Sequence, residues 1–278
     1  MDKIILAIDL GGTKISAAIV DGSQLSKVIT MPINGALAAG EVLEQVFSIT
    51  DSLVNSNVQS IGIGVPGLVD GHGVVSDVVN IPSWTEIPLQ KILEQRYGIP
   101  AVVNNDANCF ALGEYHFGKG KGTTSMIGLT IGTGLGSGII INQKLYSGSN
   151  CGAGEFGMVE YLDKYFEYYA SGQFFKNVHH IDGEKVFESA KAGQAEAMQM
   201  YKEMGFHLGN AIKMIMYTMD VELIVIGGSV RHAWQYFSES MWQQFRTFAF
   251  PRSLNRLRIE VSELENSALL GASVLCRK

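Results

Sequence analysis

The segment MIGLTIGTGLGSGIII, residues 126–141, repeats the pattern of KIILAIDLGGTKISAAIV, residues 3–20. Each segment consists of an apolar run, a glycine-containing turn and a second apolar run, and aligning Asp9 with Thr130 keeps the two in register. Short apolar runs bounded by glycine predict buried β-strands. The repeat of strand–turn–strand units therefore predicts two similar α/β lobes.

The rest of the chain alternates between strand and helix patterns, which is typical of an α/β protein. Asp21-Gly22 predicts a hairpin turn, and Asn142-Gln143 holds the equivalent place in the second unit. Further strands are predicted at residues 25–33, 60–67, 100–107, 222–230 and 257–264. Helices are predicted at residues 41–54, 89–98, 107–117, 194–219 and 266–276, with Asn266 as the N-cap of the last one.

The composition restricts the function. The chain has 278 residues, of which 46% are hydrophobic and 17% charged, and this suits a globular protein with a substantial core. A net charge of −6 and the lack of any Lys/Arg run argue against nucleic-acid binding. No apolar run is long enough to span a bilayer, and the first residues do not resemble a signal peptide, so we expect a cytoplasmic protein without membrane contact.

The cysteines point to the same compartment. Cys109, Cys151 and Cys276 are odd in number and widely spaced, with no CxxC pair. This pattern fits reduced thiols better than a disulfide framework. We expect all three to be small buried hydrophobic residues.

Two glycine turns are candidate phosphate loops. In DLGGTK, residues 9–14, glycines at a strand end let backbone N–H groups face a phosphate, although an ordinary glycine hairpin explains the motif equally well. TIGTGLGSG, residues 130–138, repeats that arrangement, with a flexible β-turn as its alternative. Because the second loop ends an equivalent strand, the pair could hold one polyphosphate from both sides, which favours ATP.

Two further strand ends are candidate ligand sites. In IVIGGSV, residues 224–230, glycines follow a buried strand and suit a flat ligand such as a nucleobase, and a tight βα turn is the alternative. In VVNNDAN, residues 102–108, Asn105 and Asp106 lie where a strand gives way to a helix, the edge at which open α/β sheets bind ligands. Asn and Asp are also favoured helix N-caps, so a purely structural role stays open.

A carboxylate in an unusual setting completes the candidates. Glu155 lies in GAGEFG, residues 152–157, among glycines and apolar residues. A carboxylate in such surroundings is expensive to bury without a partner. Its function is not apparent from this segment alone.

These motifs, in this order, resemble the sugar-kinase branch of the ROK family (repressors, open reading frames and kinases) in the actin–hexokinase superfamily. The resemblance runs from Ile4 to Leu275. The matching motifs are AIDLGGTK, IGVPGLVD, NNDANCFALGEY, TIGTGLGSGIII, GAGEFG and YYASG. The resemblance implies a two-lobed actin-like ATPase (ribonuclease H-like) α/β fold with the active site in the interlobe cleft. The N-terminal lobe would comprise residues 1–115 with a C-terminal helix at about 265–278, and the C-terminal lobe residues 116–264.

The resemblance also implies a role for each candidate residue. Asp106 aligns with the catalytic aspartate. The positions that align with sugar-binding or pocket-lining residues are Gly67, Asn105, Asp106, Glu155 and Glu167. The positions that align with the two phosphate loops and the adenosine-binding turn are Asp9, Gly11, Gly12, Thr13, Lys14, Thr130, Gly132, Thr133, Gly134, Gly227 and Gly228. Asp9 would also hold Mg²⁺, directly or through water, so the implied cofactors are ATP and Mg²⁺.

The sequence departs from the family pattern directly after Glu155. Typical members place a histidine after Gly-Glu-Ile-Gly and then a cysteine cluster, and these residues hold a structural zinc. Here Met158 replaces the histidine, and no cysteine lies between Met158 and Glu167. Zinc needs thiolate or imidazole ligands, so we predict no zinc site.

Methionine donates no hydrogen bond, so the pocket near sugar positions C1 and C2 should be less polar. The aromatic residues that could pack this loop, or simply the core, are Tyr161, Tyr165, Phe166, Tyr168 and Tyr169.

The leading functional hypothesis is an ATP-dependent hexose kinase that phosphorylates the 6-hydroxyl, with glucose as the first candidate. A second hypothesis is an N-acetylhexosamine kinase acting on N-acetylmannosamine or N-acetylglucosamine. A third, from another class, is a catalytically weak sugar-sensing or sugar-binding protein.

The first strand begins within a few residues of Met1, so we expect no helix-turn-helix of the kind that repressor members carry. By resemblance we expect a homodimer.

Overall fold

The computed structural model describes residues 3–277. Its strands are β1 (Ile4–Leu10), β2 (Lys14–Asp21), β3 (Gln24–Pro32), β4 (Ser60–Val65), β5 (Leu68–Val69), β6 (Val75–Ser76), β7 (Ala101–Asn105), β8 (Met126–Ile131), β9 (Leu135–Ile141), β10 (Lys144–Leu145), β11 (Glu160–Tyr161), β12 (Lys164–Tyr165), β13 (Leu223–Gly227) and β14 (Arg258–Val261). Its α-helices are α1 (Ala39–Asp51), α2 (Leu89–Tyr97), α3 (Asp106–Phe117), α4 (Phe166–Ala170), α5 (Gln173–His179), α6 (Gly183–Lys191), α7 (Ala195–Met219), α8 (Trp234–Phe245), α9 (Pro251–Arg256) and α10 (Ser267–Val274).

The chain forms two compact units. The first unit comprises Met1–Gly122, Gly138–Ala153 and Glu263–Lys278, and the second comprises Thr123–Ser137 and Gly154–Ser262. The family resemblance implies that residues 138–153 belong to the C-terminal lobe. In the structure these residues cluster with the first unit. The functional lobe boundaries stay a prediction.

The predicted repeat is present in the sheet topology. One five-stranded sheet has the order β3-β2-β1-β4-β7, and the other has the order β10-β9-β8-β13-β14. In the first sheet β1 pairs antiparallel with β2 and parallel with β4, and β4 pairs parallel with β7. In the second sheet β13 pairs parallel with both β8 and β14. The two glycine turns therefore occupy equivalent places, each after the strand that begins its repeat.

The core of the first unit is built from strands that are buried along almost their whole length. β4 is buried at every position, and β2 at all but its two terminal residues. Strands covered on both faces are continuous apolar runs rather than alternating ones, which is why the sequence pattern identified them. The predicted hairpin after Asp21 is confirmed, since Asp21 pairs with Gln24 across a tight turn in which Gly22 has a φ of 55°.

Helices α3 and α10 approach each other closely because glycines lie at their contact. A Cβ added to Gly271 would lie 1.6 Å from the carbonyl oxygen of Cys109, and one added to Gly113 would lie 2.0 Å from the carbonyl oxygen of Ser267. Only glycine allows such contact between helix backbones. The hydroxyl of Ser267 also donates to the carbonyl oxygen of Phe110 at 3.2 Å.

Two local predictions need correction or addition. Asn266 occupies the N-cap position of α10, as predicted, but its backbone is left-handed (φ 55°) and its side chain makes no capping hydrogen bond. The short hairpin β11–β12 and helix α9 were not predicted, because elements of two to six residues carry too little periodicity. Among residues 3–277, no helix is long and apolar enough to cross a membrane.

Candidate functional site

The junction between β7 and α3 is organised around Asn105. Its side-chain Oδ1 accepts hydrogen bonds from the backbone N–H groups of Ala107 (2.9 Å) and Asn108 (3.2 Å), so it caps the helix. Its Nδ2 donates to the carbonyl oxygen of Gly67 at 3.3 Å. Asp106 is the first residue of α3, where the helix dipole favours an anionic side chain. The structural role that the sequence left open for Asn105 is thus confirmed, and Asp106 is held at a fixed helix start.

The predicted residues of the first unit gather at one edge of its sheet. Because β1, β4 and β7 are parallel, their carboxyl ends meet at the same edge. The glycine turn at residues 11–13 follows β1, the Pro66-Gly67 turn follows β4, and Asp106 follows β7. This is the edge at which open α/β sheets bind ligands.

The first glycine turn is tightly closed. The N–H of Gly11 donates to the carbonyl oxygen of Lys14 at 2.9 Å, and the N–H of Ile33 donates to the carbonyl oxygen of Thr13 at 3.0 Å. A Cβ added to Gly12 would lie 2.5 Å from Nδ2 of Asn80, so only glycine fits there without displacing that side chain. Thr13 and Lys14 are exposed and able to meet a ligand.

Asp9 is the best candidate in the first unit for binding a cation. Burial raises the pKa of its carboxyl from 3.8 to about 6, and the positive charge of Lys14 offsets only part of this effect. A buried carboxylate with a raised pKa is stabilised when a cation binds beside it. Mg²⁺ suits this position, because it prefers oxygen ligands and keeps several waters and phosphate oxygens in its shell.

The predicted residues of the second unit also meet at the end of parallel strands. Thr130, near the end of β8, pairs with Gly227, the last residue of β13. Gly228 has a φ of 79°, and a Cβ added to it would lie 2.2 Å from the carbonyl oxygen of Ile131. The side chain of Arg231 closes this turn by donating to the carbonyl oxygen of Gly228 at 2.9 Å. The second glycine loop and the predicted adenosine-binding turn are thus direct neighbours.

The negative charge of Glu167 acts on Glu155 within the second unit. Glu155 lies at an exposed position just before a single 3₁₀ turn, Phe156–Met158. Partial loss of hydration raises the pKa of its carboxyl, and the negative charge of Glu167 raises it further. Two carboxylates in or near a glycine-rich segment are well suited to accept hydrogen bonds from several hydroxyls.

The segment between these glutamates is held by a polar network that sequence reasoning missed. The hydroxyl of Tyr161 lies 3.1 Å from Nδ1 of His207 and accepts a hydrogen bond from Nδ2 of Asn210 at 2.9 Å. Gln244 in turn donates to Oδ1 of Asn210 at 2.7 Å. The ring of Tyr161 also stacks on Phe166 with centroids 4.3 Å apart. Residues on α7 and α8 are distant in sequence from the β11–β12 hairpin, so no local pattern could have linked them.

The described residues form no cluster of typical metal ligands. Within residues 3–277, no group of three or more His, Cys, Asp and Glu side chains could hold a metal ion. Met158 is 55% exposed. All three cysteines are free thiols, as expected. Cys109 and Cys276 are buried as predicted, whereas Cys151 is only half-buried, so the prediction of burial is wrong for Cys151. The absence of zinc stays a prediction that metal analysis can test.

The fold is that of an actin-like protein with two α/β lobes. A family model described as the ROK family matches residues 5–278, so the chain belongs to the ROK family.

Three curated relatives match almost the whole chain. An uncharacterised protein of Clostridium perfringens is 31% identical, with 94% of this chain and 93% of the relative covered. A glucokinase of Thermotoga maritima is 26% identical, with 99% and 97% covered. An N-acetylmannosamine kinase of Shigella flexneri is 29% identical, with 98% of each chain covered.

A solved structure supports the predicted fold. The ROK family glucokinase of Streptomyces griseus, in complex with glucose and AMPPNP, is 28% identical and superposes with a TM-score of 0.82 over 98% of each chain. The predicted actin-like α/β fold is therefore confirmed.

Proposed function

We propose that this chain is an ATP-dependent sugar kinase that transfers the γ-phosphoryl group of ATP to the 6-hydroxyl of a hexose, with glucose as the first candidate. The observation that carries the proposal is the shared edge of β1, β4 and β7, where a glycine turn, Gly67 and Asp106 follow neighbouring parallel strands. A phosphate loop and a carboxylate that can orient a hydroxyl are the parts that phosphoryl transfer requires.

Asp106 is proposed as the catalytic residue. Its carboxylate orients the sugar hydroxyl and takes the hydroxyl proton as the oxygen–phosphorus bond forms and ADP leaves. Phosphoryl transfer proceeds through a loose transition state, so positioning matters more than base strength. The start of α3 favours the ionised form of Asp106. Asn105, fixed by its capping and Gly67 hydrogen bonds, would hold the sugar beside it.

Nucleotide-binding roles are proposed for residues of each unit. In the first unit, Asp9 and the turn at residues 11–14 are proposed to bind phosphate. In the second unit, Thr130 and the turn at 132–134 are proposed to bind phosphate, and the Gly227-Gly228 turn to bind adenosine. Backbone N–H groups in such turns neutralise phosphate oxygens without bulky side chains. A Mg²⁺ ion held by Asp9 would neutralise the charge that develops on the phosphate oxygens.

Glu155 is proposed to accept hydrogen bonds from sugar hydroxyls near C1 and C2, and Glu167 is proposed as a second sugar-binding glutamate. Methionine at position 158 offers no donor to an oxygen at C2, so the preference among C2 substituents should be weak or altered. For this reason an N-acetylhexosamine is the second candidate substrate, and the similarity to the Shigella flexneri enzyme supports it.

A panel assay tests the proposal. ADP release would be followed with glucose, mannose, fructose, N-acetylglucosamine and N-acetylmannosamine, and the 6-phosphate product would be identified by NMR. Turnover with a hexose at a kcat/KM at least tenfold above the N-acetyl sugars would support a hexose kinase. The reverse order would identify an N-acetylhexosamine kinase. A sugar that raises the melting temperature without any turnover would instead indicate a sugar-binding protein.

A further inference from the structure

Glu167 contacts the second glycine loop as well as lying in the proposed sugar-binding segment. Its Oε2 accepts a hydrogen bond from the backbone N–H of Leu135 at 2.8 Å. A Cβ added to Gly134 would lie 2.5 Å from the same oxygen, so the carboxylate rests directly on the loop backbone. The other oxygen, Oε1, accepts a longer hydrogen bond of 3.4 Å from Nε2 of Gln173. One oxygen is therefore occupied by the loop, and the other is more weakly held.

The residues that follow Glu167 fasten the same loop at two more points. The hydroxyl of Ser171, a fully buried residue, donates to the carbonyl oxygen of Thr133 at 2.9 Å. The N–H of Gly172 donates to the carbonyl oxygen of Gly132 at 2.8 Å. The loop is therefore held at three positions: Glu167 bonds to Leu135, Ser171 to Thr133 and Gly172 to Gly132. Within the loop itself, the N–H of Gly132 donates to the carbonyl oxygen of Gly134 at 3.0 Å.

These contacts determine what the loop can present to a ligand. Glycine-rich loops lose much conformational freedom when they are ordered, so a loop that is already fixed binds its ligand more tightly. Hydrogen bonds to a charged acceptor are stronger than those between neutral groups. The bond from Leu135 to Glu167 is the one tie to this loop with a charged partner among those described above.

We propose that Glu167 is a positioning residue for the nucleotide, in addition to its proposed contact with the sugar: through Oε2 it holds the 132–135 loop in the shape that receives the phosphates of ATP. This inference rests on the proposed function. It assigns to one carboxylate a part in both binding events, with Oε2 directed to the phosphate loop and Oε1 left to accept a sugar hydroxyl.

The test measures nucleotide binding without any sugar, because a residue that contacts only sugar would not change it. AMPPNP with Mg²⁺ is titrated into the wild-type protein and into Glu167→Ala, Glu167→Gln and Ser171→Ala by calorimetry. Glu196→Gln is the matched control, since Glu196 is an exposed carboxylate of the same unit.

We expect Glu167→Ala to weaken AMPPNP binding about tenfold, equivalent to about 1.4 kcal/mol. Glu167→Gln retains a carbonyl oxygen that can accept from Leu135, so its nucleotide affinity should fall by no more than about threefold, a loss smaller than that of a deleted acceptor. Ser171→Ala should weaken AMPPNP binding while leaving the sugar KM unchanged. The Ser171→Ala variant also provides a test of the loop contacts if Glu167→Ala does not fold. Amide exchange of Leu135 should accelerate in Glu167→Ala.

Two outcomes would count against these ideas in different ways. If the wild-type protein binds AMPPNP and neither Glu167→Ala nor Ser171→Ala changes the affinity, the positioning role is overturned and the kinase proposal stands. If the wild-type protein does not bind AMPPNP, the proposed function fails, and the inference fails with it.

Discussion

Nδ2 of Asn105 donates to the carbonyl oxygen of Gly67 at 3.3 Å, and this bond joins the turn after β4 to the start of α3. Oδ1 of the same amide caps the helix through Ala107 and Asn108. Asn105 therefore uses both ends of its side chain, and Asp106 is placed by a neighbour that cannot rotate freely. This arrangement fixes the backbone from which the proposed catalytic side chain projects.

Asp106→Asn should abolish most turnover while preserving sugar binding. The amide keeps the shape of the side chain but cannot take the hydroxyl proton, and general-base groups contribute about 10²–10⁴-fold to rate. We expect kcat to fall by about that factor with little change in melting temperature, measured by the coupled assay and by calorimetry. Asp21→Asn, an exposed residue at the end of β2, serves as the control. Near-normal turnover of Asp106→Asn would contradict the mechanism.

Asp9→Asn should stabilise the metal-free protein at neutral pH and impair Mg²⁺-dependent activity. Because burial raises the pKa of Asp9 to about 6 from 3.8, the folded protein binds this proton more tightly than the unfolded chain does. Stability is therefore lost as the pH rises from about 4 to about 6, and above that range the penalty is constant at up to about 3 kcal/mol.

The asparagine variant lacks this penalty. Its advantage in melting temperature should be largest above pH 7 and should disappear as the pH falls to about 4, in thermal scans without metal. An advantage independent of pH would show that the carboxyl of Asp9 titrates normally.

Tyr161→Phe should loosen the β11–β12 hairpin without removing its aromatic packing. Two-residue strands are not stable alone, so the hairpin depends on the hydrogen bond between Tyr161 and His207 and on the one that Asn210 donates to the Tyr161 hydroxyl. Loss of the hydroxyl leaves a half-buried polar network incomplete and should lower the free energy of unfolding by about 1–2 kcal/mol. Denaturant unfolding of this variant and of Tyr146→Phe, whose ring is 54% exposed, provides the comparison. Equal stability of the two variants would show that the hydrogen bonds of the Tyr161 hydroxyl add nothing to the free energy of unfolding.

Gly271→Ala should strongly destabilise the first unit. The new Cβ would lie 1.6 Å from the carbonyl oxygen of Cys109, so helices α3 and α10 would have to separate. We expect a loss of about 3 kcal/mol or more, at the upper end of overpacking effects. The same substitution at Gly40, which lies in α1 with no atom within 4 Å of the new Cβ, should instead stabilise by about 0.5–1 kcal/mol. Similar effects at both sites would refute the close helix contact.

The purified protein should contain no stoichiometric zinc. Typical zinc ligands are absent between Met158 and Glu167, and the β11–β12 hairpin is held by Tyr161 instead. Metal analysis after gel filtration should find only trace zinc, and EDTA should leave the melting temperature unchanged. About one tightly bound zinc per chain would disprove this prediction.

The sequence by itself determined the strand–glycine turn–strand repeat, the α/β class and the family. These features are local: apolar runs mark buried strands, and glycine marks turns that a Cβ would block, as at Gly12 and Gly228. It also nominated Asn105 and Asp106, because polar side chains directly after a strand are conspicuous. It also placed Asn266 at the N-cap of α10, but the residue type alone did not supply a capping hydrogen bond.

Only the tertiary structure decided which distant residues meet. The ties from Glu167, Ser171 and Gly172 to the 132–135 loop join segments about 30 to 40 residues apart in the chain. The bond between Tyr161 and His207 spans an even longer separation. No periodicity encodes such pairs, because they depend on the packing of whole helices and strands. The sequence therefore nominated the candidate site residues, and packing determined how the 132–135 loop is held.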